Sequence, residues 1–261
     1  MRPIFFIEKS TLLDYPGKIA SIIFNWGCNF RCPFCHNPEL VVESPSSMLI
    51  NKDEVVSFLK KRVGKIDAVV FTGGEPFVNP ETIDFVKEVK NLGFLVKMDT
   101  NGSFPEKLQY VIDNRLVDYI AMDIKNDLTS YLRTIGLEKQ HEKSVKQLED
   151  IDIQNVNSVK QSPLSLFERV KESISIIMAT SEANYLIDYE FRTTFVPGLH
   201  SIDTAKGIGE LIRGAKIFYV QNFRPGKTLD PLYLKKNGFT DSDLKSFADT
   251  ISKYVDEVVI R

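Results

Sequence analysis

Asp67-Ala68-Val69-Val70-Phe71-Thr72-Gly73-Gly74-Glu75-Pro76 is the stretch from which the rest of the chain can be read. Its first five residues are a short, largely apolar run, which reads as a buried strand. The run stops on two glycines, an acid and a proline, which end a strand and open a loop. On either side the apolar period changes from continuous to helical. Upstream, Val55, Val56, Leu59 and Val63 share one helix face behind a cap at Asn51 or Asp53. Downstream, a helix after Pro80 places Ile83, Val86 and Val89 on one side. A strand between two helices is the unit of a parallel sheet.

The same unit repeats along the chain. Residues 19–25 read as the preceding strand, and a long loop follows it to about Ile50. Phe94-Leu95-Val96-Lys97-Met98 is a strand ending in Asp99-Thr100-Asn101-Gly102, and Pro105 opens a helix reaching Asn114. Asp118-Tyr119-Ile120-Ala121-Met122 is the next strand, ending in Asp123-Ile124-Lys125. Phe167, Val170, Ile174, Ile177 and Met178 recur at helical spacing. Strands at 185–194 and 216–222 flank a helix after Ser201, and a last helix (Leu244, Phe247, Ala248, Ile251, Tyr254) leads to Val258-Val259-Ile260. Six βα units in a row predict an α/β domain with a parallel sheet and outer helices. In such sheets ligands sit at the carboxyl ends of the strands, where the polar residues above fall. Residues 126–162 break the rhythm with a polar insertion, suited to a lid, a docking element or a solvated loop.

Bulk properties narrow the function classes. A chain of 261 residues with 43% hydrophobic and 26% charged residues is ordinary for a globular domain. Its net charge of −2 gives no overall sign of a dedicated nucleic-acid surface. No run approaches the roughly 20 apolar residues that span a bilayer. The start, Met1-Arg2-Pro3-Ile4-Phe5-Phe6-Ile7-Glu8-Lys9, is interrupted too early for a signal-peptide core, so a cytoplasmic location is expected.

All three cysteines lie within eight positions, in Cys28-Asn29-Phe30-Arg31-Cys32-Pro33-Phe34-Cys35. An odd, clustered set suits metal or redox chemistry rather than a disulfide framework. Three thiolates can hold three irons of a cubane and leave the fourth open to an exogenous ligand. A structural zinc site normally takes four ligands, and His36, directly beside Cys35, is poorly placed to complete one.

The C-x3-C-x2-C spacing, with an aromatic before the third cysteine, resembles the signature of the radical S-adenosylmethionine (SAM) superfamily. Thr72-Gly73-Gly74-Glu75-Pro76, one βα unit later, matches that superfamily's GGE motif. The resemblance implies a partial (β/α)6 barrel spanning residues 1–261 as one domain. It also implies a [4Fe–4S] cluster on Cys28, Cys32 and Cys35 that reductively cleaves SAM to a 5′-deoxyadenosyl radical. With no fourth cysteine in these 261 residues, auxiliary clusters are excluded.

Further segments are similar to the anaerobic ribonucleoside-triphosphate reductase activating proteins, which generate a glycyl radical on a partner. These are Ser10-Thr11-Leu12-Leu13-Asp14-Tyr15-Pro16-Gly17-Lys18, His36-Asn37-Pro38-Glu39-Leu40, Glu190-Phe191-Arg192-Thr193-Thr194, Val196-Pro197-Gly198-Leu199-His200 and Gln221-Asn222-Phe223-Arg224-Pro225. Cofactor-binding roles follow from the resemblance. Phe34 lies against the adenine, Asn37 borders the cofactor, and the Gly73–Gly74–Glu75 turn offers backbone groups to the methionyl amine. Asp99 and Asn101 contact methionyl or ribose groups. Asp123 and Lys125 form a D-x-K pair on the methionyl carboxylate, with or without a monovalent cation. Arg192 binds a carboxylate or pairs with Glu190; His200 and Gln221 are candidates at the barrel mouth. Either aspartate also suits a cap or a turn. The implied partners are a flavodoxin or ferredoxin as electron donor and an anaerobic ribonucleotide reductase as protein substrate. The alternatives are a radical enzyme acting on a small molecule or RNA, and a noncatalytic iron–sulfur or zinc module.

Overall fold

The computed structural model describes residues 5–41, 49–138, 163–180 and 187–261. Eight strands form one sheet in the order β1 to β8. They are β1 (Phe5–Thr11), β2 (Ala20–Asn25), β3 (Ala68–Gly73), β4 (Leu95–Thr100), β5 (Tyr119–Asp123), β6 (Asp188–Phe195), β7 (Ile217–Asn222) and β8 (Glu257–Ile260). The β1–β2 pair is antiparallel, and every later pair is parallel. The sheet does not close between β1 and β8, so the fold is the partial barrel expected. β1 was not legible as a strand. It is an edge strand whose Glu8 and Lys9 face solvent while Phe5 is buried; charges on an exposed edge discourage unwanted pairing.

Helices return each strand to the next. They are α1 (Lys52–Lys60), α2 (Thr82–Asn91), α3 (Pro105–Asp113), the short α4 (Tyr131–Thr134), α5 (Pro163–Ala179), α6 (Ile202–Leu211) and α7 (Asp241–Ile251). Of the two caps proposed for α1, Asn51 is the one used, its side chain accepting from the Glu54 N–H. Ser201 with Thr204, and Thr240 with Asp243, form capping boxes on α6 and α7. On α2 the most buried apolar residues are Phe85, Val86 and Val89, and Ile83 is only partly covered.

The strands bury two unlike faces. One packs on the helices through residues such as Phe71, Val96, Met98, Phe191 and Phe218. The other lines the inside of the half-barrel. Its lower layer is a small apolar cluster of Ala20, Ile22, Ala68, Val70, Tyr119 and Ala121, closed from below by Tyr15 of the β1–β2 connection. Above it the inward positions turn polar: Lys97, Asp99, Asp123, Glu190 and Arg192. Parallel register sets Asp123 directly beside Arg192, and Thr194 beside Gln221.

Residues 126–138, the start of the polar insertion, pack in part: Asn126, Tyr131, Thr134 and Ile135 are buried, while Leu128, Thr129 and Arg133 are exposed. Tyr131 is buried edge-on between Phe30 and Phe167, and the Arg31 N–H donates to the Ile135 carbonyl at 2.8 Å. Residues 139–162, with His141, lie outside the described residues. So do residues 185 and 186 at the expected start of the sixth strand.

Candidate active site at the open end of the half-barrel

The loop after β2 carries the cysteines. Gly27 turns it with φ +100°, and its N–H donates to the Leu40 carbonyl at 2.8 Å. The Gly27 carbonyl in turn accepts from the Glu75 N–H at 2.9 Å, while the Gly74 N–H reaches the Asn25 carbonyl at 2.9 Å. The paired glycines are required by that contact. A Cβ on Gly74 would stand 1.9 Å from the Gly27 oxygen, and one on Gly73 2.6 Å from the Asn25 nitrogen. Gly73 also sits at φ +109°, where side chains are strained. The motif thus fastens β3 to the root of the cysteine loop, and both glycines line the cavity above.

That cavity has a volume of about 720 Å³, within the range of small-molecule sites. Cys28, Cys32 and Cys35 line it together with Phe34, Asn37, Asp99, Asn101, Asp123, Lys125, Arg192 and Gln221. Most of the expected cofactor residues therefore meet in one place. All three cysteines are free thiols. Burial pushes Cys28 up to about 11 and Cys32 to about 12, and raises Cys35. Lys125 is a cation that pulls all three in the opposite direction. Thiols of this kind bind metal as thiolates, their protons released to solvent. Among the described residues, no three His, Cys, Asp or Glu side chains converge tightly enough for a single metal ion. Three free thiols on one loop, beside a cavity and with His36 turned elsewhere, fit a cluster with one open position better than a four-ligand zinc site. His36 is engaged elsewhere, with Nδ1 3.3 Å from the Lys227 carbonyl and its ring stacked on Phe223.

Opposite the cysteines stands a charged lattice on β4, β5 and β6. Arg192 Nε donates to Asp123 Oδ1 at 2.7 Å, and Nη2 to Asp99 Oδ2 at 3.1 Å. Lys125 Nζ donates to Asp123 Oδ2 at 3.0 Å. Burial alone would raise Asp123, but the Arg192 guanidinium and Lys125 ammonium hold it well below the usual carboxylate range. Burial would likewise lower Lys125 and Arg192, yet their carboxylate partners, Asp123 foremost, raise both. Asp99 Oδ1 is buried without a hydrogen-bond partner, with Lys97 Nζ 3.7 Å away. An unsatisfied buried acceptor facing a cavity is a place for a ligand donor. Both Asp123 oxygens and Asp99 Oδ2 are taken by Arg192 and Lys125. Arg192 Nη1 also lies 3.6 Å from Glu190, so of the two roles considered for it the Glu190 pair is seen, and the carboxylates it meets are the chain's own Asp99, Asp123 and Glu190.

Two expected cofactor contacts stand behind the wall instead. Glu75 is 1% exposed and does not line the cavity; its carboxylate accepts from Asn101 N (2.7 Å), Thr100 Oγ1 (2.9 Å) and Phe77 N (3.2 Å). It ties the end of β3 to the end of β4, although burial pushes it up to about 7. His200 is also buried. Its Nδ1 accepts from the Val196 N–H at 3.0 Å, which leaves Nε2–H to donate to the Lys125 carbonyl at 2.9 Å. Burial lowers it to about 4, so it is neutral near pH 7. It holds the Lys125 backbone rather than meeting a ligand.

Two features were not read from sequence. Asn29, inside the cysteine motif, donates to Ser103 Oγ (2.8 Å) and accepts from Asn101 Nδ2 (3.0 Å), pinning the loop to the β4 end. Beneath the site, Glu190 is fully buried, with Tyr119 OH at 2.8 Å, Arg261 Nη1 at 3.4 Å and Lys97 Nζ at 3.9 Å. The available signal was Lys97 and Glu190 themselves, charges placed inside otherwise apolar strands.

The sequence pattern of the Radical SAM superfamily matches residues 22–178. A Methanocaldococcus jannaschii protein named for glycyl-radical enzyme activation is 30% identical over 256 residues, 98% of this chain and 93% of that protein. The pyruvate formate-lyase-activating enzyme of Clostridium pasteurianum is 30% identical over 125 residues, 46% of this chain and 51% of that enzyme. Streptococcus suis SuiB superposes with a TM-score of 0.58 at 11% identity, over 90% of this chain and 47% of its own. TYW1 with a lysine-pyruvate adduct bound gives 0.55 at 14%, over 90% and 73%. Those two likenesses speak for the fold alone. The family match takes in the cysteine loop, the glycine pair, and Asp99, Asp123 and Lys125, and it covers more than half of the chain. On that ground the protein belongs to the radical SAM superfamily and is an enzyme of it.

Proposed function

We propose that this enzyme is a glycyl-radical activase, with an anaerobic ribonucleotide reductase as its first candidate partner. The observation that carries the reading is the near full-length likeness to the M. jannaschii protein named for that activity. In this reading Cys28, Cys32 and Cys35 hold a [4Fe–4S] cluster, and with SAM the bound pair supplies a 5′-deoxyadenosyl radical. The chain's own residues then position and shield. Lys125, oriented by Asp123 below and by His200 through its carbonyl, presents an ammonium for the methionyl carboxylate. Asp99, whose Oδ1 has an ion-pair partner in Lys97 but no hydrogen bond, accepts from a ligand N–H or O–H. Phe34 supplies an apolar face for adenine, while Asn37 and Gln221 border the cavity. The radical takes one hydrogen atom from a glycine Cα of the partner, giving 5′-deoxyadenosine and a glycyl radical.

The test is anaerobic mixing of the reconstituted enzyme, SAM and a reductant with an anaerobic ribonucleotide reductase. Electron paramagnetic resonance should show a glycyl radical, with 5′-deoxyadenosine formed in step. Deoxyadenosine without a protein radical, across several glycyl-radical enzymes, would move the reading to a small-molecule or RNA substrate.

A further inference from the structure

The segment after β7 folds back over the outside of the cysteine loop. The Asp230 N–H donates to the Pro33 carbonyl at 2.9 Å, and Lys227 Nζ pairs with Glu39 at 2.6 Å. At its crest, on the turn Pro231–Tyr233, Leu232 is 83% exposed, and Leu234 follows at 43%. Apolar side chains so exposed beside a redox centre call for a partner.

Cations surround them. Lys236 Nζ sits 4.6 Å over the Tyr233 ring, and Lys235 and Lys227 are exposed on the same segment. Lys236 and Arg133 share one neighbour: Arg133 Nη2 donates to the Gly198 carbonyl at 3.1 Å, and Lys236 Nζ is 3.0 Å from where a Gly198 Cβ would stand. Arg31, exposed between Cys28 and Cys32, spreads its guanidinium on the Cys28 and Phe30 carbonyls at 2.6 and 2.9 Å. Two carboxylates on this segment or bonded to it are engaged: Glu39 is paired with Lys227, and Asp230 caps the turn through Leu232 N at 2.9 Å. A chain of net charge −2 thus carries a locally basic face with leucines at its centre, over the loop that holds the cluster ligands.

We propose that this face docks a small acidic one-electron carrier protein, which reduces the cluster through the Asp230–Pro33 bridge beside Cys32. The inference rests on the radical-enzyme reading but not on the identity of the glycine-bearing target. The step moves one electron and no atoms: the reduced carrier is oxidised by one electron, and the cluster is reduced by one. Electron-transfer contacts are small and transient, and charge complementarity mainly speeds and orients them. A leucine centre with a lysine and arginine rim meets both needs.

The experiment uses reconstituted holoenzyme with a reduced acidic flavodoxin as probe. The variants are Leu232→Ser and the double change Lys235→Glu with Lys236→Glu, all on side chains outside the cavity. Affinity for oxidised flavodoxin is read by flavin fluorescence, and cluster reduction by anaerobic stopped-flow absorbance. The expected result is a tenfold or greater loss of affinity and reduction rate, and a flatter salt dependence for the charge-reversed protein. Dithionite-driven deoxyadenosine formation should stay within twofold of wild type. Unchanged flavodoxin affinity and rate would overturn the proposal, as would a parallel loss with dithionite. A loss confined to radical transfer onto a reductase would overturn it too, and would assign the face to the target protein. Failure to radicalise any reductase, with the flavodoxin result intact, would sink the activase reading and leave this one standing.

Discussion

Gly74→Ala isolates the contact that joins the two motifs of the site. The new Cβ would lie 1.9 Å from the Gly27 oxygen and 2.6 Å from its carbonyl carbon, both backbone atoms, so neither can swing aside. To reach even 3.0 Å, the Gly27 carbonyl must retreat by about an ångström, and its 2.9 Å bond from the Glu75 N–H is lost. A buried donor left unpaired costs about 1–3 kcal/mol, and forced repacking adds about 1–3 kcal/mol. The expected destabilisation is therefore about 2–6 kcal/mol. Because Cys28 is the next residue, the retreat also displaces the first thiolate. Urea unfolding of the apoprotein measures the first effect, and iron and sulfide content after reconstitution the second. Gly93→Ala is the control: φ is +89° there but nothing lies within 4 Å of the added carbon. Only the left-handed backbone penalty of roughly 1–2 kcal/mol applies, and cluster content should not change. A Gly74→Ala protein within about 0.5 kcal/mol of wild type and with full iron would refute the reasoning; so would equal losses in the two variants.

Three other outcomes follow from the charged lattice. Lys125→Ala should leave iron content unchanged and weaken SAM binding roughly tenfold to a hundredfold, the worth of about 1.5–3 kcal/mol for a charge-assisted bond; calorimetry on the reconstituted protein reads it, and an unchanged affinity would leave Lys125 structural. Wild-type SAM affinity should be equal in potassium and tetramethylammonium chloride at matched ionic strength, because Arg192 already bridges Asp99 and Asp123, whereas Arg192→Met should acquire a potassium requirement; a potassium requirement in wild type would count against the bridge. His200, neutral when folded, has its pKa lowered from 6.5 to about 4. The unfolded chain therefore binds the proton first, and stability is lost as pH falls from 6.5 towards 4. Glu75, raised to about 7 in the fold, works in the opposite direction over this window, so His200 is read as a difference: between pH 7 and 5 the wild type should lose about 2 kcal/mol relative to His200→Asn in paired urea titrations.

The parallel sheet, the strand ends and the clustering of the three cysteines could all be read along the chain, because each is set by local rules. Apolar runs of strand length alternate with helical periodicity, and Cys28, Cys32 and Cys35 lie on a single loop. The Gly-Gly-Glu turn was legible as a motif, and so was its place one unit later. β1 was not: an edge strand needs only one buried face, so its pattern is diluted by Glu8 and Lys9. Residue roles were harder, since they depend on which way a side chain turns at a strand end.

Glu75 and His200 show where sequence stops. Both carry chemistry-bearing groups beside the cavity, and both turn inward to satisfy backbone donors or acceptors that have no other partner across a loop junction. Asn29 was passed over, and Glu190 was read only as a partner for Arg192, for the converse reason. Their partners, Ser103 and Tyr119, lie 74 and 71 residues away in the chain, and only parallel register and barrel curvature bring them together. The sequence by itself determined the cysteine spacing and the order of strands, because periodicity and spacing are properties of neighbours. The tertiary structure alone decided which polar groups face the cavity, because burial leaves each charge to seek compensation from whatever strand lies beside it.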